Sequence, residues 1–164
     1  MHIIIVGCGK VGSTLAEQLQ EEDTDLTLID TDADVINNLT EDIDAMGIVG
    51  NGASINTLME AGVKTADIMI AVTASDELNL LCCLIAQKTG HCQTIARVRN
   101  PIYSKEIGFI QERLGLSMII NPELAADWGK VLVQGYKEGG ILPKWPLASS
   151  YTGCMVGYPA VSVL

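Results

Sequence analysis

The sequence predicts an α/β fold, a doubly wound parallel sheet of six strands, followed by an irregular C-terminal tail. Short apolar, β-branched runs recur from Ile3 to Ile120, and stretches with helical spacing separate them. A glycine-rich turn joins the first run to the first helical stretch, where a sheet of this kind makes its sharpest reversal. Strands that are apolar on both sides, such as Ile3-Ile4-Ile5-Val6, suit a sheet covered by helices on both faces.

Taken in order, the expected strands are Ile3–Val6, Leu26–Ile29, Ala45–Val49, Ile68–Val72, Thr94–Val98 and Ser117–Ile120. Val11, Leu15 and Leu19 recur every four residues after the first strand, so one stripe of that helix faces the sheet. Val35, Ile36 and Leu39 form the same kind of face after the second strand, and Leu78, Leu81 and Ile85 after the fourth. Strand–helix–strand repetition implies right-handed crossovers and hence parallel pairing. Asn121-Pro122-Glu123 then starts a last helix carrying Leu124, Trp128, Val131 and Leu132 on one face. From Gly135 onward glycine, proline and aromatic residues accumulate and no period survives. The expected division is one α/β domain over 1–134 and an irregular tail over 135–164, not a domain of its own.

Composition narrows the function classes. The chain has 164 residues, 48% hydrophobic and 18% charged, enough for one sizeable core and a poor match to disorder. The apolar runs fall short of the roughly 20 residues that a membrane span needs, and no signal peptide is recognisable at the start. A cytoplasmic location without membrane insertion is therefore expected. The net charge is −10, and twelve acidic residues with no Lys or Arg lie between Val11 and Val63. Such a surface repels phosphate backbones, so nucleic acid is not an expected partner. The five cysteines are odd in number and form no C-x-x-C pair; free buried thiols are expected rather than a metal site or disulfides.

The chemistry lies in Gly7-Cys8-Gly9-Lys10-Val11-Gly12, a G-x-G-x-x-G directly between an apolar strand and an amphipathic helix. Gly7 permits the turn off the strand, Gly9 keeps side-chain atoms away from a pyrophosphate, and Gly12 lets the helix pack closely. Anionic oxygens then meet the free N–H groups at the helix N-terminus. Eighteen residues after Gly12 the second strand ends at Asp30, beside Thr31, near the spacing of about 20 for the acid that bonds a ribose. A carboxylate there accepts from a free 2′-hydroxyl and repels a 2′-phosphate, which favours NAD(H) over NADP(H). Asp30 as a simple turn residue is the alternative. Lys10 is either a phosphate contact or a solvated charge. Asn51 either bonds a base or caps the helix that follows. Ser75 or Asp76 would cap the helix after Thr73-Ala74. This strand–glycine loop–helix–strand–acid order is that of a Rossmann fold.

Further motifs follow in register. Ile4-Ile5-Val6 with the glycine loop, Leu28-Ile29-Asp30, Gly50-Asn51-Gly52-Ala53, Ala71-Val72-Thr73 with Asp76-Glu77-Leu78-Asn79-Leu80, Ala96-Arg97-Val98-Arg99-Asn100-Pro101 and Ile120-Asn121-Pro122-Glu123-Leu124-Ala125-Ala126 resemble the TrkA-type regulatory subunits of bacterial potassium uptake systems, over about residues 1–133. The resemblance implies a nucleotide-sensing regulator, not an enzyme, with NAD(H) as ligand and ATP or ADP as alternatives. It implies a homodimer or ring, and a cytoplasmic place at the inner membrane face through a potassium-transporter subunit. By position, Asn51, Gly52 and Ala53 would lie near an adenine. Thr73, Ala74, Ser75 and Glu77 would line the nicotinamide or terminal-phosphate side, with Arg97 nearby. Glu123 would sit near a subunit interface. Lys10 departs from the Arg that many relatives carry, which removes a bidentate phosphate contact. The tail also departs, standing where the family continues into a second regulatory domain.

Residues 140–164 instead resemble a fragment of bacterial exo-acting α-mannosidases. That stretch contains no Asp or Glu, so it holds no carboxylate pair for glycoside hydrolysis. The remaining alternative is an NAD-dependent dehydrogenase or its cofactor-binding fragment, which would need a proton donor or acceptor beside the nicotinamide. His2 opens the first strand and His91 follows a helix exit, both away from the sheet's carboxyl edge; Tyr103 is the other candidate.

Overall fold

In a computed structural model of the chain, residues 1–20, 24–104 and 106–120 are described. The strands are β1 (His2–Val6), β2 (Asp25–Asp30), β3 (Ala45–Val49), β4 (Ile68–Ala71), β5 (Gln93–Arg97) and β6 (Met118–Ile120). The helices are α1 (Lys10–Gln20), α2 (Ala33–Asp42), α3 (Ile55–Glu60), α4 (Asp76–Gly90), α5 (Pro101–Ser104) and α6 (Ile107–Leu114). All strand pairs are parallel, in the order β3-β2-β1-β4-β5-β6. The order reverses between β1 and β4, so a crevice is expected at their carboxyl ends. The expected last helix from Asn121 and the boundary near residue 134 lie outside the described residues.

The two-residue period of β1 divides the core. Ile3 and Ile5 join one cluster with Leu15, Leu19, Leu28 and Ile36, under α1 and α2. Ile4 and Val6 join the other with Leu58, Met69, Cys82, Cys83 and Ala86, under α3 and α4. Neighbouring Cβ atoms on a strand point to opposite faces, so an unbroken Ile-Ile-Ile-Val serves both layers. Each fully buried aliphatic side chain contributes about 1.5–3 kcal/mol of transfer free energy. Among the described residues no helix is long and apolar enough to cross a membrane.

Helix ends follow local chemistry. Asp32 caps α2 by accepting from the N–H groups of Asp34 and Val35, and Ser75 caps α4 by accepting from Leu78. His91 closes α4 in the left-handed region at φ 61°, and Gly115 closes α6 at φ 69°.

One expected face is different. Leu81 is 46% exposed, whereas Asn79, Cys82, Cys83 and Ala86 carry the buried side of α4. Leu78 and Ile85 of the expected face do pack against the second core cluster, but as its flanks, because small and polar residues let α4 approach the sheet closely. The same closeness appears at the end of α4, where a Cβ on Gly90 would stand 1.9 Å from the Val63 carbonyl oxygen. Gly90→Ala is expected to lower stability by roughly 1–3 kcal/mol despite alanine's better helix propensity, as read from urea denaturation.

Candidate functional site

A cavity of about 660 Å³ opens at the carboxyl edge of the sheet, over the ends of β1, β2, β4 and β5. It is within the range of about 300–1,000 Å³ common for small-molecule sites. Its floor is apolar, from Val6, Ile29, Val72 and Leu78. On one side it is bounded by Gly7, Gly9, Lys10 and Val11, then by Asp30, Thr31, Gly50, Asn51 and Gly52. On the other side are Thr73, Ala74, Ser75, Arg97 and Arg99.

The turn from β1 into α1 is possible only without side chains. Gly7 has φ +92°, and a Cβ there would stand 2.7 Å from the Thr73 nitrogen. A Cβ on Gly12 would stand 1.9 Å from the Gly7 carbonyl oxygen, so the first turn of α1 is pressed against the loop. At Gly9 the situation is opposite: nothing lies within 4 Å of a Cβ, and that open space belongs to the cavity. Free N–H groups and the positive end of the helix dipole of α1 therefore face a space able to hold an anion.

Asp30 does more than end a strand. Its Oδ2 accepts from the Cys8 N–H at 2.7 Å and its Oδ1 from the Asp32 N–H at 3.0 Å. The carboxylate thus ties the glycine loop to the end of β2, and each oxygen keeps a further lone pair for a ligand hydroxyl.

Four expected residues stand outside the cavity lining. Cys8 is buried, with burial first and the Asp30 charge second pushing its thiol up to about 12. Its contribution to the loop is the backbone N–H. Gly12 acts through its closeness to Gly7. Ala53 packs against the second core cluster, and its N–H donates to Asn51 Oδ1 at 2.9 Å. Asn51 therefore forms a turn, and Ser54 caps α3 instead. Glu77 is exposed; its carboxyl is held below its ordinary value by its own backbone N–H first, then by the Tyr103 and Ser75 hydroxyls. The same bond with Glu77 raises the Tyr103 phenol.

On the far side, the buried Arg97 Nε has no hydrogen-bond partner among the described residues. Burial, and then the Arg99 charge, lower the Arg97 guanidinium from its ordinary value. Arg99 was not among the expected site residues. Asp76 holds it: the Asp76 carboxylate accepts from the Arg99 and Asn100 N–H groups at 2.8 and 2.7 Å and pairs with Arg99 Nε at 3.4 Å. The Arg99 guanidinium also donates to the Ala74 carbonyl. The spacing Arg97-x-Arg99 could have revealed it, since alternate residues of an extended chain share a side. The apolar floor carried no such signal, because strand-end valines and isoleucines read as ordinary core. Lys10, Arg97 and Arg99 gather positive charge around this cavity in a chain of net charge −10.

Among the described residues no histidine lines the cavity. His2 lies at the opposite edge, its Nε2 3.0 Å from the Thr27 hydroxyl, and His91 ends α4. Among the described residues no group of His, Cys, Asp and Glu is arranged to hold a metal ion.

Comparison with known proteins agrees with this architecture. The TrkA-N domain family model matches residues 3–122, and the glycosyl hydrolase family 92 catalytic domain model matches residues 110–164 in a short partial match. The Trk system potassium uptake protein TrkA of Halomonas elongata is 42% identical over 167 residues, covering 96% of this chain and 36% of its own length. A TrkA homolog of Methanothermobacter thermautotrophicus is 37% identical, covering 77% of this chain and 56% of its own length. The chain thus spans about a third to a half of these curated relatives. Among solved structures, the TrkA-N domain of the Escherichia coli inner membrane protein ybaL superposes with a TM-score of 0.66 at 24% identity, over 81% of this chain and 94% of that one. The GsuK channel bound to NAD superposes with a TM-score of 0.62 at 21% identity, over 73% of this chain and 21% of that one. From the first strand through the sixth, the chain belongs to the TrkA-N domain family.

Proposed function

We propose that this chain is the nucleotide-binding unit of a regulatory subunit of potassium transport, with NAD(H) in the cavity and ATP or ADP as alternatives. The observation that carries this reading is the open space before Gly9 at the N-terminus of α1, with Asp30 across it. The names of the relatives and of the NAD-bound channel support it. The residues fit the ligand. Gly7, Gly9 and the α1 N–H groups would hold the pyrophosphate, and Asp30 would accept from ribose hydroxyls. Lys10, Arg97 and Arg99 would balance the remaining charge, and the unpartnered Arg97 Nε gains an acceptor.

Regulation needs no bond to be made or broken. Binding must differ between two arrangements of neighbouring subunits, with a coupling of typically about 1–3 kcal/mol. The assembly we infer is a homodimer or ring on the cytoplasmic side of a membrane transporter subunit. The domain itself spans 1–134 in this proposal, with 135–164 outside it. A dehydrogenase would need a proton donor beside the ligand, and Tyr103, the remaining candidate, has its hydroxyl engaged by Glu77. Hydride transfer to keto or hydroxy acids by the purified protein would overturn the regulatory reading.

Calorimetric titration with NADH, NAD⁺, ATP and ADP tests the proposal directly. Gly9→Ala is expected to weaken nucleotide binding at least about tenfold while stability stays within about 0.5 kcal/mol, since the new methyl meets only the ligand's space. Asp30→Ala is expected to weaken NADH binding by about 1–3 kcal/mol through loss of a charge-assisted contact; unchanged affinity would remove Asp30 from the site. Truncation at Gly135 should leave the melting temperature unchanged, and a large loss would place the tail within the domain.

A further inference from the structure

Asn79 is fully buried and makes use of every hydrogen-bonding position it has. Its Oδ1 accepts from the Thr73 N–H at 2.8 Å and from the Thr73 hydroxyl at 2.7 Å. Its Nδ2 donates to the Thr73 carbonyl at 3.3 Å and to the Arg97 carbonyl at 2.9 Å. The amide can sit only this way round, because the flipped form would set N–H against N–H and oxygen against oxygen. Asn79 thereby fastens the ends of β4 and β5, the two strands beneath the far side of the cavity.

The consequence for Thr73 is chemical. A hydroxyl has one proton, and both groups positioned to receive it, Asn79 Oδ1 and the Ser75 carbonyl at 3.2 Å, belong to the protein. One lone pair takes the Ser75 N–H at 3.3 Å, and one remains. Thr73 lines the cavity as an acceptor, not as a donor. A phosphate oxygen has no proton to offer there, whereas a sugar hydroxyl or a carboxamide NH₂ has.

Building on the nucleotide reading above, we propose that Asn79 is a positioning residue that fixes Thr73 as a hydrogen-bond acceptor, so that the β4 side selects a ligand whose second half carries a hydroxyl or amide donor. The glycine loop and Asp30 take the phosphate and the first ribose on the β1–β2 side. The second half of a dinucleotide then reaches Thr73, and a nucleoside diphosphate leaves that acceptor without a donor. The cavity is in this way biased toward the dinucleotide.

The test is calorimetric titration of the full chain with NADH and with ADP, for the unaltered protein, Thr73→Val, Thr73→Ser and Asn79→Leu. Thr73→Val should lower the ratio of NADH to ADP affinity about fivefold to tenfold, and Thr73→Ser should restore most of it. Asn79→Leu removes the nearer of the two acceptors of the Thr73 proton, leaving only the Ser75 carbonyl at 3.2 Å, and should shift the ratio in the same direction to a smaller extent; if that variant does not fold, the Thr73 pair decides. Equal changes for both nucleotides in Thr73→Val, or no rescue by serine, would overturn the role of Thr73 and Asn79 while leaving nucleotide binding intact. Failure of the unaltered chain to bind either nucleotide would bring down both proposals together.

Discussion

The contact between Gly7 and Gly12 is the constraint on which the site rests. The chain leaves β1, reverses and enters α1 within a few residues, and the helix can start there only because neither position carries a Cβ. That closeness sets the N-terminus of α1 at the sheet's carboxyl edge, above the reversal in strand order. Asp30 then reaches across from β2 to the Cys8 N–H and fixes the loop's orientation. What α1 and the glycine loop offer to an anion follows from this one approach, since a helix held farther out would direct its free N–H groups into solvent.

The fold was largely legible because a sheet buried on both faces leaves a simple trace. Each of the six expected strands matches an observed one to within about a residue at either end, since β-branched runs bounded by polar turns have few other uses. Helix faces were harder. On α4 the expected Leu78 and Ile85 pack against the core but Leu81 is exposed, and the fully buried Asn79 does not look like a core residue, although its internal hydrogen bonds are what allow close packing there. The short α3, α5 and α6 have too few turns for a period to stand out.

The candidate site was legible where backbone geometry demands one residue type and obscure where tertiary contacts assign the role. Glycines and the strand-end acid announce themselves by spacing. Nothing in the sequence marks Asp76 as the anchor of Arg99, because the two meet only when the segment after β5 folds back over the start of α4. Net charge says as little about the crevice. A strongly acidic chain still gathers Lys10, Arg97 and Arg99 around one crevice, since local placement rather than total charge determines the potential that a ligand meets.

The buried sulfurs have a consequence of their own. Cys8 and Cys82 are pushed up to about 12 and Cys92 to about 11, and Cys83 is raised well above its ordinary value, in each case mainly by burial. Burial disfavours the thiolate, which is the form that oxidants and alkylating agents attack. These four side chains are therefore chemically quiet ballast in the core. Reagents that modify exposed thiols will find little to react with on these four residues.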